Sequence, residues 1–323
     1  MSIINKPSNH PVFPDKSKVA IILVNLGTPD GTDYWSMRKY LKQFLMDKRV
    51  VDLFRPIWWL ILNGPILTFR PSKSGKAYKK IWDEQNHGSP LRKFTINQTN
   101  KLKDSFKDNK NLIIDYAMRY GNPSIEKVLN KIVEKGCSKL LLVPLYPQYA
   151  ASTTATVKDE VFKWMLKQRW QPDIRTIAPW FDDKNYIKAL ADTVNSNLKN
   201  KNTLDKLIVS FHGIPQRYFK AGDPYHCHCI KTARLLKEEL KWPDDKILVT
   251  FQSRFGPEPW LQPYTDKTII ELAKSGKKRI AVIAPGFISD CLETLEELNV
   301  EARELFIEHG GESFQYIPCL NDN

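Results

Sequence analysis

Apolar residues along the chain gather into short unbroken runs, separated by longer stretches of helical period. The runs fall at residues 19–26, 112–118, 140–145, 207–211, 247–251 and 280–284, and they lack the strict alternation of a half-exposed strand. Such runs suit parallel strands covered on both faces by helices. Helical periodicity fills the gaps at 124–134, 153–167, 185–198, 231–240, 264–274 and 291–308, and shorter strands are predicted at 174–177 and 314–317. The pattern predicts an α/β protein of two similar doubly wound lobes, each a four-stranded parallel sheet flanked by helices, with a cleft between them. The lobes are expected to span residues 1–180 and 181–323.

The halves read as an internal repeat. Gly27-Thr28-Pro29 follows the first strand, and Gly213-Ile214-Pro215 follows the first strand of the second half. Arg119-Tyr120-Gly121 is matched to Arg254-Phe255-Gly256, then a helix leads to Gly136 or Gly276, an apolar strand, and Pro144 or Pro285. The first half is longer between these marks by about 50 residues, an insertion placed within 40–94. That insertion holds Phe44, Leu45, Met46, Phe54, Ile57, Trp58, Trp59, Leu60, Ile61 and Leu62, bracketed by Lys48, Arg49, Arg55 and Arg70. It is either a buried helix pair or an apolar lip with a basic rim that touches a membrane surface and admits a flat anionic ligand.

Composition narrows the class. A chain of 323 residues with 42% hydrophobic and 26% charged content is a folded protein of two domains. Residues 1–18 are polar with no apolar core, and the longest apolar run, 57–69, is broken by Asn63, Gly64 and Pro65. A cytoplasmic enzyme, with peripheral contact at the inner face of the membrane, is the expectation. The net charge of +13 asks for an acidic partner. Its lysines are scattered over helical faces and accompany no nucleic-acid signature, which points to a carboxylate-bearing substrate or an anionic membrane rather than nucleic acid. The five cysteines read as reduced thiols.

Ligands of parallel sheets bind beyond the carboxyl ends of the strands. That rule selects Asn25, Leu26, Arg119, Tyr120, Tyr146, His212, Ser253, Arg254, Phe287, Ser289 and Asp290, with Glu293 in the first turn of the following helix. His212 precedes Gly-x-Pro where the first half has Leu26, so a titratable group faces an apolar wall. Glu293 is followed by Glu297 and Glu301 at i+4 steps, which an α-helix would place on one face. One imidazole, a row of carboxylates, aromatic walls and a basic rim suit a metal that is handed on rather than held. They also suit proton removal from a ring that receives it.

Several motifs then resemble one family, the ferrochelatases: Val24-Asn25-Leu26-Gly27-Thr28-Pro29, Leu145-Tyr146-Pro147-Gln148-Tyr149 with Ser152-Thr153-Thr154, and Ser210-Phe211-His212-Gly213-Ile214-Pro215. Gly222-Asp223-Pro224-Tyr225, Phe251-Gln252-Ser253-Arg254-Phe255-Gly256, Pro259-Trp260-Leu261 and Asp290-Cys291-Leu292-Glu293-Thr294-Leu295-Glu296-Glu297 continue it in order. The resemblance implies a chelatase fold and ferrous iron insertion into protoporphyrin IX to give protohaem, with release of two protons. It implies His212 and Glu293 as the metal-handling pair, and Arg119, Tyr120, Tyr146, Ser253, Arg254, Trp260 and Asp290 as lining the porphyrin cleft. Strand-end position adds Leu26 and Phe287 to that lining, and the carboxylate row adds Glu297 and Glu301 as a proton and metal relay. The lip matches the segment that guards the cleft mouth and touches the membrane.

Departures from the family bear on cofactors. Where some members hold a 2Fe–2S cluster through an internal cysteine, this chain has Ala151, and no cluster or other tightly bound cofactor is expected. His226-Cys227-His228-Cys229 is not a family feature and reads as reduced, unmetallated side chains. The family's final helix, after the segment matching Pro318-Cys319-Leu320-Asn321, is expected to be missing. Coproporphyrin or another tetrapyrrole as the substrate, and a non-catalytic porphyrin or haem carrier, remain the competing expectations.

Overall fold

A computed structural model of the chain describes residues 15–198 and 203–323. Eight strands form two four-stranded sheets, every neighbouring pair parallel. The first contains β1 (Asp15–Thr28), β2 (Leu112–Gly121), β3 (Cys137–Pro144) and β4 (Asp173–Thr176) in the order β2-β1-β3-β4. The second contains β5 (Lys206–His212), β6 (Ile247–Gln252), β7 (Arg279–Ile283) and β8 (Ser313–Tyr316) in the order β6-β5-β7-β8. All eight expected strands are present, and the two sheets share one topology, as duplicated halves require. The strands avoid alternation because helices cover both sides: Ile208 and Val209, adjacent in β5, pack into different core clusters and are both fully buried.

Between β1 and β2 lie α1 (Tyr34–Leu45), α2 (Arg55–Ile61), α3 (Leu67–Ile81) and α4 (Pro90–Ser105), with a π segment at Leu62–Ile66 joining α2 to α3. The rest of the first lobe adds α5 (Ile125–Glu134) and α6 (Thr156–Met165). The chain then crosses to α7 (Lys184–Asn197), whose Tyr186, Ile187, Leu190 and Val194 pack into the core that contains Leu207 and Val209 of β5. The second lobe adds α8 (Gln216–Lys220), α9 (Tyr225–Leu240), α10 (Thr265–Lys274), α11 (Leu292–Leu295) and α12 (Arg303–Glu308). The insertion has a buried side and an exposed apolar side. Met37, Leu41, Leu45, Trp58, Leu62 and Leu67 bury a core of their own, while Phe54, Ile57, Leu60 and Phe69 stay exposed. Residues 317–323 form no helix; Asn321 and Asp322 instead pack on α4, where Asn97 donates to Asp322 at 3.2 Å.

Two expectations require correction. The single helix predicted over 291–308 is broken into α11, a π segment at Glu297–Ala302, and α12. The repeat marks are also out of register. Gly27 pairs opposite Tyr120, whereas His212 pairs opposite Gln252, so strand pairing equates Arg119 with Gln252 rather than with Arg254. Arg119 is therefore inside β2, and Arg254 lies past the end of β6.

Gly27 turns the chain out of the central strand at φ +108°, and a Cβ there would overlap the Tyr120 carbonyl of the neighbouring strand. Gly276, after α10, has φ +84° with open space around it. Chemical denaturation should therefore separate the two. Gly276→Ala is expected to cost about 1–2 kcal/mol, the conformational penalty alone. Gly27→Ala is expected to cost more than about 3 kcal/mol, because backbone must move as well.

Candidate active site

The carboxyl ends of the two central strands, β1 and β5, open onto one cleft of about 300 Å³. Leu26 near the end of β1 lines it from the first lobe, and His212, the last residue of β5, lines it from the second. Tyr146 enters from the turn after β3, Ser253 and Arg254 from the loop after β6, and Phe287 from the turn after β7. Glu293 sits in the first turn of α11, and Glu297 opens the π segment beyond it. Asn25, Ser289 and Trp260 of the expected set line it as well.

Three expected residues lie outside this cleft. Arg119 is buried under the insertion, where its guanidinium pairs with Asp47 and its Nε donates to the Thr156 hydroxyl at 2.6 Å. Tyr120 is fully buried and donates its phenol to the same Asp47 at 2.9 Å. Burial alone would raise the Asp47 carboxyl, but hydrogen bonds from Thr156 and the Arg49 N–H, with the Arg119 charge, hold it below the usual range. With both its charge and its hydrogen bonds committed, Arg119 anchors the end of α1 instead of meeting a substrate. Asp290 is a buried structural hub that accepts from Tyr316 at 2.5 Å, Thr294 at 3.0 Å and Asn321 at 2.7 Å.

Glu301 is the fourth correction. The π segment winds more than four residues into a turn, shown by the Glu301 N–H bonding to the Glu296 carbonyl at 2.9 Å, five residues back. The i+4 stripe therefore splits. Glu293 and Glu297 stay in the cleft, while Glu301 turns to an exposed face beside Glu296, itself paired with Lys80 at 2.6 Å. The His226–Cys229 run also disperses along α9. His226 lies against Phe251, His228 stacks on Phe181 at 3.7 Å, Cys227 is exposed and Cys229 is buried. Among the described residues no three His, Cys, Asp or Glu side chains gather as a metal-binding group.

The chemistry of the cleft follows from its contacts. His212 Nδ1 lies 2.6 Å from the Gly213 carbonyl oxygen, which can only accept, so Nδ1 carries a proton, and in the neutral tautomer this selects, Nε2 is the ring's acceptor nitrogen. The Trp260 ring stands 6.4 Å from the imidazole, and Phe255 lies 5.0 Å beyond it. Ser253 occupies the left-handed region at φ +63°, uncommon for a side-chain-bearing residue, and from there its hydroxyl donates to Glu297. Gln252 holds the Glu293 carbonyl at 2.8 Å. Burial, then the Glu293 charge, push the Glu297 carboxyl up to about 7, and the bonds from Ser253 and Gln252 offset this only in part.

Sequence reasoning missed several wall residues: Thr28, Tyr40, Tyr78, Cys291 and Arg70. Tyr40 and Tyr78 come from α1 and α3 of the insertion, and burial raises both phenols. Their helical spacing gave no strand-end signal. Cys291 stood inside a quoted motif, and the rule that found Glu293 could have found it; burial also pushes its thiol up. Two of the cleft residues, Tyr146 and Trp260, each bury a polar atom, the hydroxyl and Nε1, that has no hydrogen-bond partner.

Because the folded protein holds a proton on Glu297 up to about pH 7, while an unfolded glutamate loses it near 4.5, native stability falls as pH rises through that window. Above pH 7 the cost is complete. Glu297→Gln is expected to gain stability over the parent at pH 8, by up to roughly 3 kcal/mol, with the gain vanishing below pH 4.5. Denaturant titrations at both pH values measure it.

A ferrochelatase family model matches residues 18–323. The chain is 57% identical to the ferrochelatase of Allorhizobium ampelinum over 324 residues, covering 100% of this chain and 94% of that one. It is 57% identical to that of Agrobacterium fabrum, covering 98% and 92%, and 50% identical to that of a Chelativorans species, covering 100% and 91%. Among solved structures, SirB from Bacillus subtilis with Fe3+ superposes with a TM-score of 0.54 at 16% identity, covering 93% of this chain and 89% of that one. The sirohydrochlorin chelatase SirB of subspecies spizizenii, in complex with cobalt, gives 0.54 at 12% identity, covering 93% and 88%. These two share the fold. A family match across nearly the whole sequence, and half or more of all residues shared with its members, place this chain in the ferrochelatase family.

Proposed function

We propose that the protein inserts ferrous iron into protoporphyrin IX in the cleft between two lobes, 1–180 and 181–323, releasing two protons and giving protohaem. The observation that carries this reading is the meeting of His212, Glu293 and Glu297 in one aromatic-walled cleft at the ends of the central strands. Iron and porphyrin are the substrates. The macrocycle would lie against Trp260, Phe287, Tyr146 and Leu26. Arg70 and Arg254 are the two guanidinium groups of the cleft wall. They suit a ring with two carboxylates better than coproporphyrin with four.

Insertion exchanges two pyrrole protons for one metal ion. His212 Nε2, the acceptor nitrogen of the neutral imidazole, takes one. Glu293 handles the metal and the second proton, and Glu297, poised near neutrality, passes a proton on. Binding a distorted ring would favour the transition state over the flat substrate.

The exposed Phe54, Ile57, Leu60 and Phe69, beside Lys48, Arg49 and Arg55, form the surface proposed to touch an anionic membrane. No helix among the described residues is long and apolar enough to cross one. Such contact would therefore be peripheral.

Anaerobic metallation followed by absorbance tests the chemistry. His212→Ala is expected to lose at least about 100-fold in kcat while still binding porphyrin, and Glu293→Gln to lose a similar factor. Full turnover in either variant removes that residue from the mechanism, and binding shifts without metallation in the parent would make the protein a carrier. Parallel assays with coproporphyrin should show weaker turnover. Replacing Phe54 and Leu60 with Glu should weaken sedimentation with phosphatidylserine vesicles at least about tenfold, with turnover of detergent-solubilised porphyrin preserved.

A further inference from the structure

Arg217 lies on α8, outside the cleft wall, yet it touches three segments that build that wall. Its Nε donates to Glu258 at 2.8 Å, two residues before Trp260. Its Nη1 donates to the Asp52 carboxylate and its Nη2 to the Asp52 carbonyl, both at 3.1 Å. The guanidinium also lies 4.5 Å from the centre of the Tyr218 ring. The Tyr218 hydroxyl in turn donates to the Val50 carbonyl and accepts from the Asp52 N–H, each at 3.3 Å. Val50 and Tyr218 both face the cleft, so this clasp closes one stretch of its rim from both lobes.

Core packing reaches α8 only through the partly buried Tyr218, which lies against the second-lobe core. α8 has five residues and none is buried, and it follows His212 by only a short turn. The Arg217, Asp52 and Glu258 side chains remain 39%, 70% and 37% exposed. Exposed ion pairs contribute little to overall stability. What this one does is fix geometry: a planar guanidinium with donors on several edges can hold the lip turn, the His212 segment and the Trp260 loop together.

We propose that Arg217 is a positioning residue for metal insertion, clamping the lip turn at residues 50–52 against the segment that carries His212 and the loop that carries Trp260. The clamp sets the width of the cleft on that side and so acts on ring binding rather than on proton transfer. This rests on the porphyrin reading given above.

The test combines steady-state iron insertion with fluorescence titration of protoporphyrin IX on the full chain and on Arg217→Ala, Arg217→Lys, Asp52→Ala and the Arg217→Ala/Asp52→Ala double variant. Arg217→Ala is expected to raise both KM and Kd for the porphyrin about three- to tenfold, with kcat within about twofold and an unchanged melting temperature. Asp52→Ala should shift KM and Kd the same way. The double variant should be no worse than Arg217→Ala, since both changes cut one contact. Lysine at 217 should recover part of the loss, because one ammonium can hold only part of the clasp. Unchanged KM and Kd in Arg217→Ala, effects that multiply in the double variant, or a loss confined to kcat would overturn the clamp. A parent protein that binds porphyrin but inserts no iron sinks the function instead, while its Kd series still judges the clamp. A parent that binds no porphyrin sinks both.

Discussion

A carboxylate kept where burial resists its charge is the constraint on which this cleft depends. Glu297 has been withdrawn from water beside a second carboxylate, Glu293, and accepts hydrogen bonds from Ser253 and Gln252. Those two residues sit where β6 ends, and Ser253 reaches Glu297 from a left-handed backbone conformation. The sheet edge, the strained turn and the π segment are therefore parts of one arrangement. A regular α-helix would have carried the acidic stripe on along one face; the wider turn keeps two carboxylates inside and sends Glu301 out toward Glu296 and Lys80.

The duplicated halves divide the work unevenly. At equivalent strand ends the first lobe offers Leu26 and the second His212. The first lobe spends its arginine, Arg119, on a buried pair with Asp47 beneath the insertion, where leaving either charge alone would cost several kcal/mol. Its contribution to the cleft is apolar surface and raised phenols, Tyr40 and Tyr78, from helices the second lobe does not have. The second lobe supplies the imidazole and both carboxylates. Asymmetry between otherwise matching folds thus gives the cleft its imidazole and both carboxylates from one lobe and Leu26 at the matching point of the other.

The fold was largely legible in the sequence because buried parallel strands leave continuous apolar runs, and all eight appeared within a few residues of expectation. Strand-end logic likewise reached His212, Ser253, Arg254, Phe287 and Glu293, since the position of a residue after a strand is a local property. What failed was register and pitch. Arg119-Tyr120-Gly121 and Arg254-Phe255-Gly256 look alike as strings, but hydrogen-bond pairing sets them two residues apart, which buries one arginine and exposes the other to the cleft. Helical period, similarly, does not distinguish α from π winding over a single turn, so Glu301 was placed on the wrong face. Tyr78 and Arg70 lay within a segment whose sequence advertised a lip and concealed a wall.

That double character of the insertion explains how one segment can serve two surfaces. Its helices are amphipathic in opposite directions: Trp58 and Leu62 turn inward to a core that also receives Leu292, while Ile57, Leu60 and Ile61 on the same turns face out. The core side joins the insertion to α11, the helix that carries Glu293. Leu292 is the neighbour of Glu293 in α11, so the packing of Leu292 against the insertion core helps to fix where the first turn of that helix, and with it the carboxylate, stands in the cleft.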